Sequence, residues 1–140
     1  LSKRKNSGRK YDSFKALLQA ASLRPTRQRL ALAEWLFAAS NRHVSAEQVH
    51  AAAKKRRLRV SLATIYNTLN GFVRAGLLRQ MTIDGGQVIY DTNTKHHHHL
   101  YDEKNSRLQD IPASSVRFGR LPKVPAHKSL SSVDVVLRVR

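Results

Sequence analysis

The run Asp84-Gly85-Gly86 narrows the possible folds of this chain more than any other feature. It separates two β-prone segments, residues 78–83 and 87–91, and a link of this kind reverses the chain into a hairpin because glycine enters the positive-φ region that a tight turn requires. Four helix-like segments precede it. Phe14, Leu17, Leu18 and Ala21 keep the spacing of one helical face and predict a helix over residues 12–21. Arg24 and Pro25 break the chain. Thr26 then caps a second helix whose stripe is Leu30, Ala33, Trp35, Leu36 and Phe37, ending near Ser40. Ser45 with Gln48 three residues later forms a capping box for a third helix that runs to about Arg57. After a short extended stretch over residues 58–60, Ser61 caps a fourth helix carrying Leu62, Ile65, Leu69, Phe72 and Val73 on one side, and Gly76 ends it. Helices followed by a hairpin are the order of a winged helix-turn-helix.

Beyond the hairpin the pattern changes to strands. Residues 96–101, 107–111 and 133–140 read as β, the last with Val133, Val135, Leu137 and Val139 alternating against their neighbours. A short helix is expected around residues 114–118. The fold class is therefore α+β: a basic flexible arm over residues 1–10, a winged-helix domain over 11–91, and a small α/β dimerisation domain over 92–140. Neither half is long enough to bury a large core of its own, so mutual packing or formation of a homodimer is expected.

Charge is concentrated in the first half. Residues 1–80 hold 17 Lys or Arg against 3 acidic residues, whereas residues 81–140 hold 9 against 6. A field of that sign attracts polyanions, by counterion release in the case of DNA, though ribosomal or membrane-surface attachment would use it as well. There is no cysteine, which excludes disulfides, thiolate zinc sites, iron-sulfur clusters and cysteine-ligated haem. Any metal must be held by nitrogen and oxygen. No apolar run reaches the roughly 18 to 20 residues of a membrane span, and the basic opening shows no signal-peptide pattern, so a cytoplasmic location is expected.

On a helical wheel, Ala63, Thr64, Asn67, Thr68 and Gly71 fall on the side of the fourth helix away from its apolar stripe. These small, polar side chains suit insertion into a major groove, where Asn bonds a base edge and a Thr methyl meets a thymine methyl. Ser61 stands at the start of that helix, and Tyr66 lies at the border of the apolar stripe, placed either to close the core or to stack on a base. Arg24, Arg27, Arg29 and Arg57, with Thr26, read as contacts to backbone phosphates. A plain solvated helix face is the competing reading, and the basic surroundings with the following wing weigh against it.

His96, His97, His98 and His99 follow the wing at once. In a strand, His97 and His99 share one face and His96 and His98 the other, which can serve two metal sites, or one metal site and a haem ligand. An expression tag or a solvated loop is the bland alternative, but a tag is normally terminal and longer.

The ordered series LRPTRQRL (residues 23–30), HVSAEQV (43–49), VSLATIYNTL (60–69), DGGQVIYD (84–91) and HHHHL (96–100) resembles the ferric uptake regulator family over nearly the whole chain. Within that family HHHHL, DIPASSVRFGRLP (110–122) and the ending VDVVLRVR look closest to the iron response regulators of alphaproteobacteria. The resemblance implies a dimeric, DNA-binding regulator of iron uptake, storage and haem synthesis genes, coupled to haem, with a haem-delivering protein as a candidate partner. It also implies that His43, Asp91, His97 and His99 hold the regulatory metal, Fe²⁺, Mn²⁺ or Zn²⁺, with Asp91 standing where the family usually has Glu. His96 and His98 fall at the second site. There Arg117 and Asp134 replace a family Glu and a family His, and His98 stands where many members have Asp. The structural zinc of the family, held by four cysteines, has no counterpart, and neither has a Cys-Pro haem motif. A ligand at the wing-to-strand junction would change the distance between the two recognition helices of a dimer, and with it the match to half-site spacing.

Three other readings remain open at this level. A metal-dependent hydrolase finds no HExxH, nucleophile elbow, phosphate-binding glycine loop or acid-base pair beside the histidines. A constitutive architectural nucleic-acid binder with a structural metal would show no operator preference. A regulator of the same fold could instead sense Mn²⁺, Zn²⁺ or peroxide.

Overall fold

A computed structural model describes residues 12–39 and 41–140 of the chain. The basic arm expected over residues 1–10 lies outside the described residues. The chain divides into two compact units, one up to Thr94 and the other from Lys95.

The first unit is built from four helices and a small sheet. α1 covers residues 12–20, α2 Arg27–Phe37, α3 Ala46–Lys55 and α4 Leu62–Arg74. Each of the last three starts where a hydroxyl satisfies an otherwise unpaired backbone N–H of the first turn. Thr26 accepts from the amide of Arg29, Ser45 from that of Gln48, and Ser61 from that of Thr64. At Ser45 the box is reciprocal, because its own amide donates to the Gln48 side chain. α3 ends at Lys55, two residues earlier than the sequence implied, because Arg57 turns into the left-handed region at φ 58°. α2 likewise stops at Phe37, short of the expected end near Ser40, which is itself outside the described residues.

Leu18, Leu30, Leu36, Val49, Ile65, Leu69, Phe72 and Tyr90 form the core. Each fully buried large apolar side chain contributes about 1.5–3 kcal/mol, so this cluster dominates the stability of the unit. Trp35 and Phe37, expected inside the stripe of α2, are only partly buried. The guanidinium of Arg42 lies 4.6 Å from the Trp35 ring centroid, an arrangement that keeps one edge of the indole near the surface.

The sheet of this unit runs in the order β1 (His43–Val44), β3 (Gln87–Asp91), β2 (Arg79–Ile83), all antiparallel. β2 and β3 are the expected hairpin. A single 3₁₀ turn, Asp84–Gly86, joins them with Gly85 at φ 69° and Gly86 at φ 80°. β1 has only two residues and was not foreseen, since so short a segment carries no periodicity. It sets His43 directly opposite Asp91.

The second unit is a three-stranded sheet in the order β5 (Arg107–Pro112), β4 (His97–Asp102), β6 (Val136–Val139), with β4 and β6 parallel. The helix expected at residues 114–118 is a 3₁₀ turn over Ala113–Ser115. The last strand begins at Val136 rather than Val133. Its predicted alternation does not become burial, because β6 is an edge strand and Leu137 and Val139 are 46% and 42% exposed. The buried residues of this unit are His97, His98, His99 and Tyr101, so histidines occupy the place an apolar core would have.

Candidate metal centre and nucleic-acid face

In the second unit, the alternation of a β-strand puts His97 and His99 on one face of β4. Their Nε2 atoms are 3.0 Å apart. Antiparallel pairing places Asp110 of β5 opposite His99, and its Oδ1 lies 3.3 Å from His97 Nε2 and 3.5 Å from His99 Nε2. A transition-metal ion with bonds of about 2.0–2.1 Å separates neighbouring ligands by about 3.0 Å at right angles and about 3.4 Å in a tetrahedron. The observed spacing matches that geometry. Nδ1 of His97 bonds the carbonyl of Lys95, which fixes that nitrogen as the protonated one and turns the Nε2 lone pair toward its partners. Two imidazoles and a carboxylate make a borderline N/O set suited to Fe²⁺, Mn²⁺ or Zn²⁺.

Sequence reasoning missed Asp110. Its signal is long-range: the turn between β4 and β5 sets the register. There the Asp102 carboxylate accepts from the amides of Lys104 and Asn105 and from the Asn105 side chain. Those bonds, led by the Asn105 side chain, hold the Asp102 carboxyl below its ordinary range.

In the first unit, the buried carboxylate of Asp91 lies 3.2 Å from His43 Nε2 and accepts from the amide of Asn93 at 2.8 Å. The pair spans the β1–β3 ladder.

His96 and His98 share the opposite face of the sheet. His96 is exposed, whereas His98 is 1% exposed, and their rings meet edge to face at 5.1 Å. His98 Nδ1 accepts from the amide of Val135, so the proton sits on Nε2, which is buried and has no hydrogen-bond partner among the described residues. Burial first, then the neighbouring His96, pushes this imidazole below its usual range and keeps it neutral. Arg117 and Asp134 are both exposed, and Asp134 accepts from the Ser132 hydroxyl.

On α4, the apolar stripe packs inward through Ile65, Leu69 and Phe72, leaving Ala63 and Asn67 exposed. Three hydroxyls at the start and outer face of the helix are engaged locally. Ser61 and Thr64 bond each other at 2.9 Å, and Thr68 donates to the Thr64 carbonyl. Tyr66 packs at the edge of the core, and its hydroxyl donates to Glu47 of α3 at 2.8 Å. Arg24, Thr26, Arg27 and Arg57 are exposed and Arg29 half-buried, its guanidinium donating to the Arg24 carbonyl. Asn67, Thr68 and Gly71 line a shallow groove with Arg29 and Arg74.

A capped helix with a small polar outer face, followed by a β-wing, defines a winged-helix protein, and the histidine-carboxylate sets mark it as one built around metal donors. The chain belongs to the ferric uptake regulator family, whose profile matches residues 20–137. It is 36% identical over 100 residues to the ferric uptake regulation protein of Pseudomonas fluorescens, a match covering 71% of this chain and 81% of that one. Identity to the peroxide-responsive repressor of Staphylococcus epidermidis is 33% over 96 residues, covering 69% of this chain and 63% of the relative. The chain thus spans under two thirds of the length of some curated relatives it matches. Among solved structures, the ferric uptake regulator of Pseudomonas aeruginosa with manganese superposes with a TM-score of 0.69 at 26% identity, covering 91% of this chain and 96% of that one. The α+β class expected from sequence is the one observed.

Proposed function

We propose that this protein is an iron-responsive transcriptional regulator, not an enzyme, which binds promoter DNA in the cytoplasm as a homodimer and belongs to the iron response branch of its family. Its targets in this reading are genes of iron uptake, storage and haem synthesis. The observation that carries the proposal is the set of donors on β4 and β5, spaced as ligands of one ion. Within the second unit a divalent ion would be held by His97, His99 and the Asp110 carboxylate, and the family resemblance offers His43 and Asp91 as donors as well. Such an ion would supply two positive charges, while the Lys95 carbonyl orients the His97 ring and the Asn93 amide orients the Asp91 carboxylate.

DNA would be read by α4, with Asn67 at base edges and Arg24, Thr26, Arg27, Arg29, Arg57, Ser61, Thr64, Tyr66 and Thr68 along the backbone and groove walls. Dimerisation is supported by the apolar surface of the second unit, where Phe118, Leu121, Leu130 and Leu137 are all more than 40% exposed.

A haem reading rests on His96 and His98. The His96 and His98 rings meet edge to face, and the exposed His96 imidazole is the one open to a macrocycle. A haem-delivering protein would be the partner in that case.

A titration of the purified protein with Fe²⁺, Mn²⁺ and haem, followed by absorption and by binding to iron-gene promoter DNA in the same sample, tests the proposal. Promoter affinity that rises or falls with one of these ligands supports it. Affinity indifferent to all three would leave an unregulated nucleic-acid binder.

A further inference from the structure

Between α2 and α3 the first unit contains a pocket of about 150 Å³ that takes no part in either donor set. Leu32, Val49 and Ala53 are buried at its base, with Trp35 and Ala52 half-buried beside them. Arg27, Arg56 and Arg57 stand at its mouth, all exposed, and among the described residues no acidic side chain lines it. The two halves of this lining ask for different things. An apolar base gains free energy by taking apolar surface out of water. Three guanidiniums together repel one another and favour an anion, and each presents the planar fork that matches a carboxylate. A cavity of this size, about 150 Å³, accommodates one benzene-sized ring.

We infer that this pocket binds a single-ring aryl carboxylate, with the ring against Trp35 and the aliphatic base and the carboxylate at the arginine mouth. Acetate would satisfy the arginines and leave the base in water. Toluene would fill the base and leave the three cations without a counter-charge. Only a molecule with both parts satisfies the whole lining. Arg27 and Arg57 are also the residues assigned to DNA phosphates, so an occupied pocket and a bound duplex draw on the same cations.

Trp35 is the single tryptophan of the chain, so its emission reports on the pocket without a label. Benzoate titrated into the metal-free protein, without DNA, is expected to give a saturable change in that emission. Toluene and acetate should each bind about 10-fold more weakly or worse, the loss expected when one charge-assisted or one apolar contribution is missing. Arg56→Gln should weaken benzoate about 10-fold while leaving toluene unaffected. Ala52→Phe should abolish the response by filling the space, with circular dichroism reporting that the helices persist. A linear response, an equal response to acetate, or a saturable response that survives both substitutions would overturn the assignment. A second arm measures promoter binding with and without benzoate. If promoter binding is indifferent to Fe²⁺, Mn²⁺ and haem alike, the proposed function fails while the emission result still decides the pocket.

Discussion

The Nε2 atoms of His97 and His99 stand 3.0 Å apart on one face of β4, and the Oδ1 of Asp110 faces both from the neighbouring strand. Three donors at ligand spacing in a unit whose one buried apolar side chain among the described residues is Tyr101 tie its stability to whatever they share, since a ligand that binds only the folded form stabilises it by mass action.

Asp110→Asn removes the anionic donor of this set and keeps its shape. Affinity for Mn²⁺, measured by competition with a chromophoric chelator, should fall on the order of 10- to 100-fold. Unchanged affinity would remove Asp110 from the centre.

Asp102 acts on the same set from a distance. Asp102→Ala loosens the turn that holds Asp110 opposite His99, so metal affinity should drop although no donor has been touched. The pH dependence has a definite sign. Because the folded carboxyl titrates below its ordinary 3.8, its contribution is present above that pH and is lost as pH falls through the folded value. Thermal melts between pH 5 and pH 3 should therefore fall more steeply for the unaltered protein than for Asp102→Ala.

Tyr66 links α4 to α3. Its hydroxyl holds the Glu47 carboxyl below the ordinary value of 4.5, and Glu47 in turn raises the Tyr66 phenol. In Tyr66→Phe the Glu47 carboxyl should titrate closer to 4.5, as followed by carboxyl-carbon NMR. If its titration does not move, the hydrogen bond is not formed in solution.

Ser45 is 4% exposed and closes a reciprocal capping box at the start of α3. Ser45→Ala should destabilise the protein by about 1 kcal/mol, read from the midpoint of urea unfolding at constant slope.

Phosphate and base contacts separate on a salt titration. Arg57→Ala should weaken binding to promoter and random DNA alike and reduce the slope of log affinity against log salt by about one. Asn67→Ala should instead narrow the gap between promoter and random DNA. If both variants lose affinity in the same sequence-independent way, α4 does not read base edges.

What the sequence determined by itself is local. The apolar spacing, the caps at Thr26, Ser45 and Ser61, and the glycines at 76, 85 and 86 specify helices α2 to α4 and the hairpin through interactions spanning three or four residues, each complete without knowledge of the rest of the chain. The sharing of a face by His97 and His99 follows from strand geometry in the same way. What only the tertiary structure decided is which distant residues meet those local ones. β1 exists because a two-residue segment finds β3, and that pairing brings His43 to Asp91. Asp110 reaches the imidazoles through the register of a turn eight residues away, and Tyr66 finds Glu47 across two helices. The outer side of β6 stays exposed although its pattern alternates, because alternation states which side chains share a face and leaves open whether anything covers it.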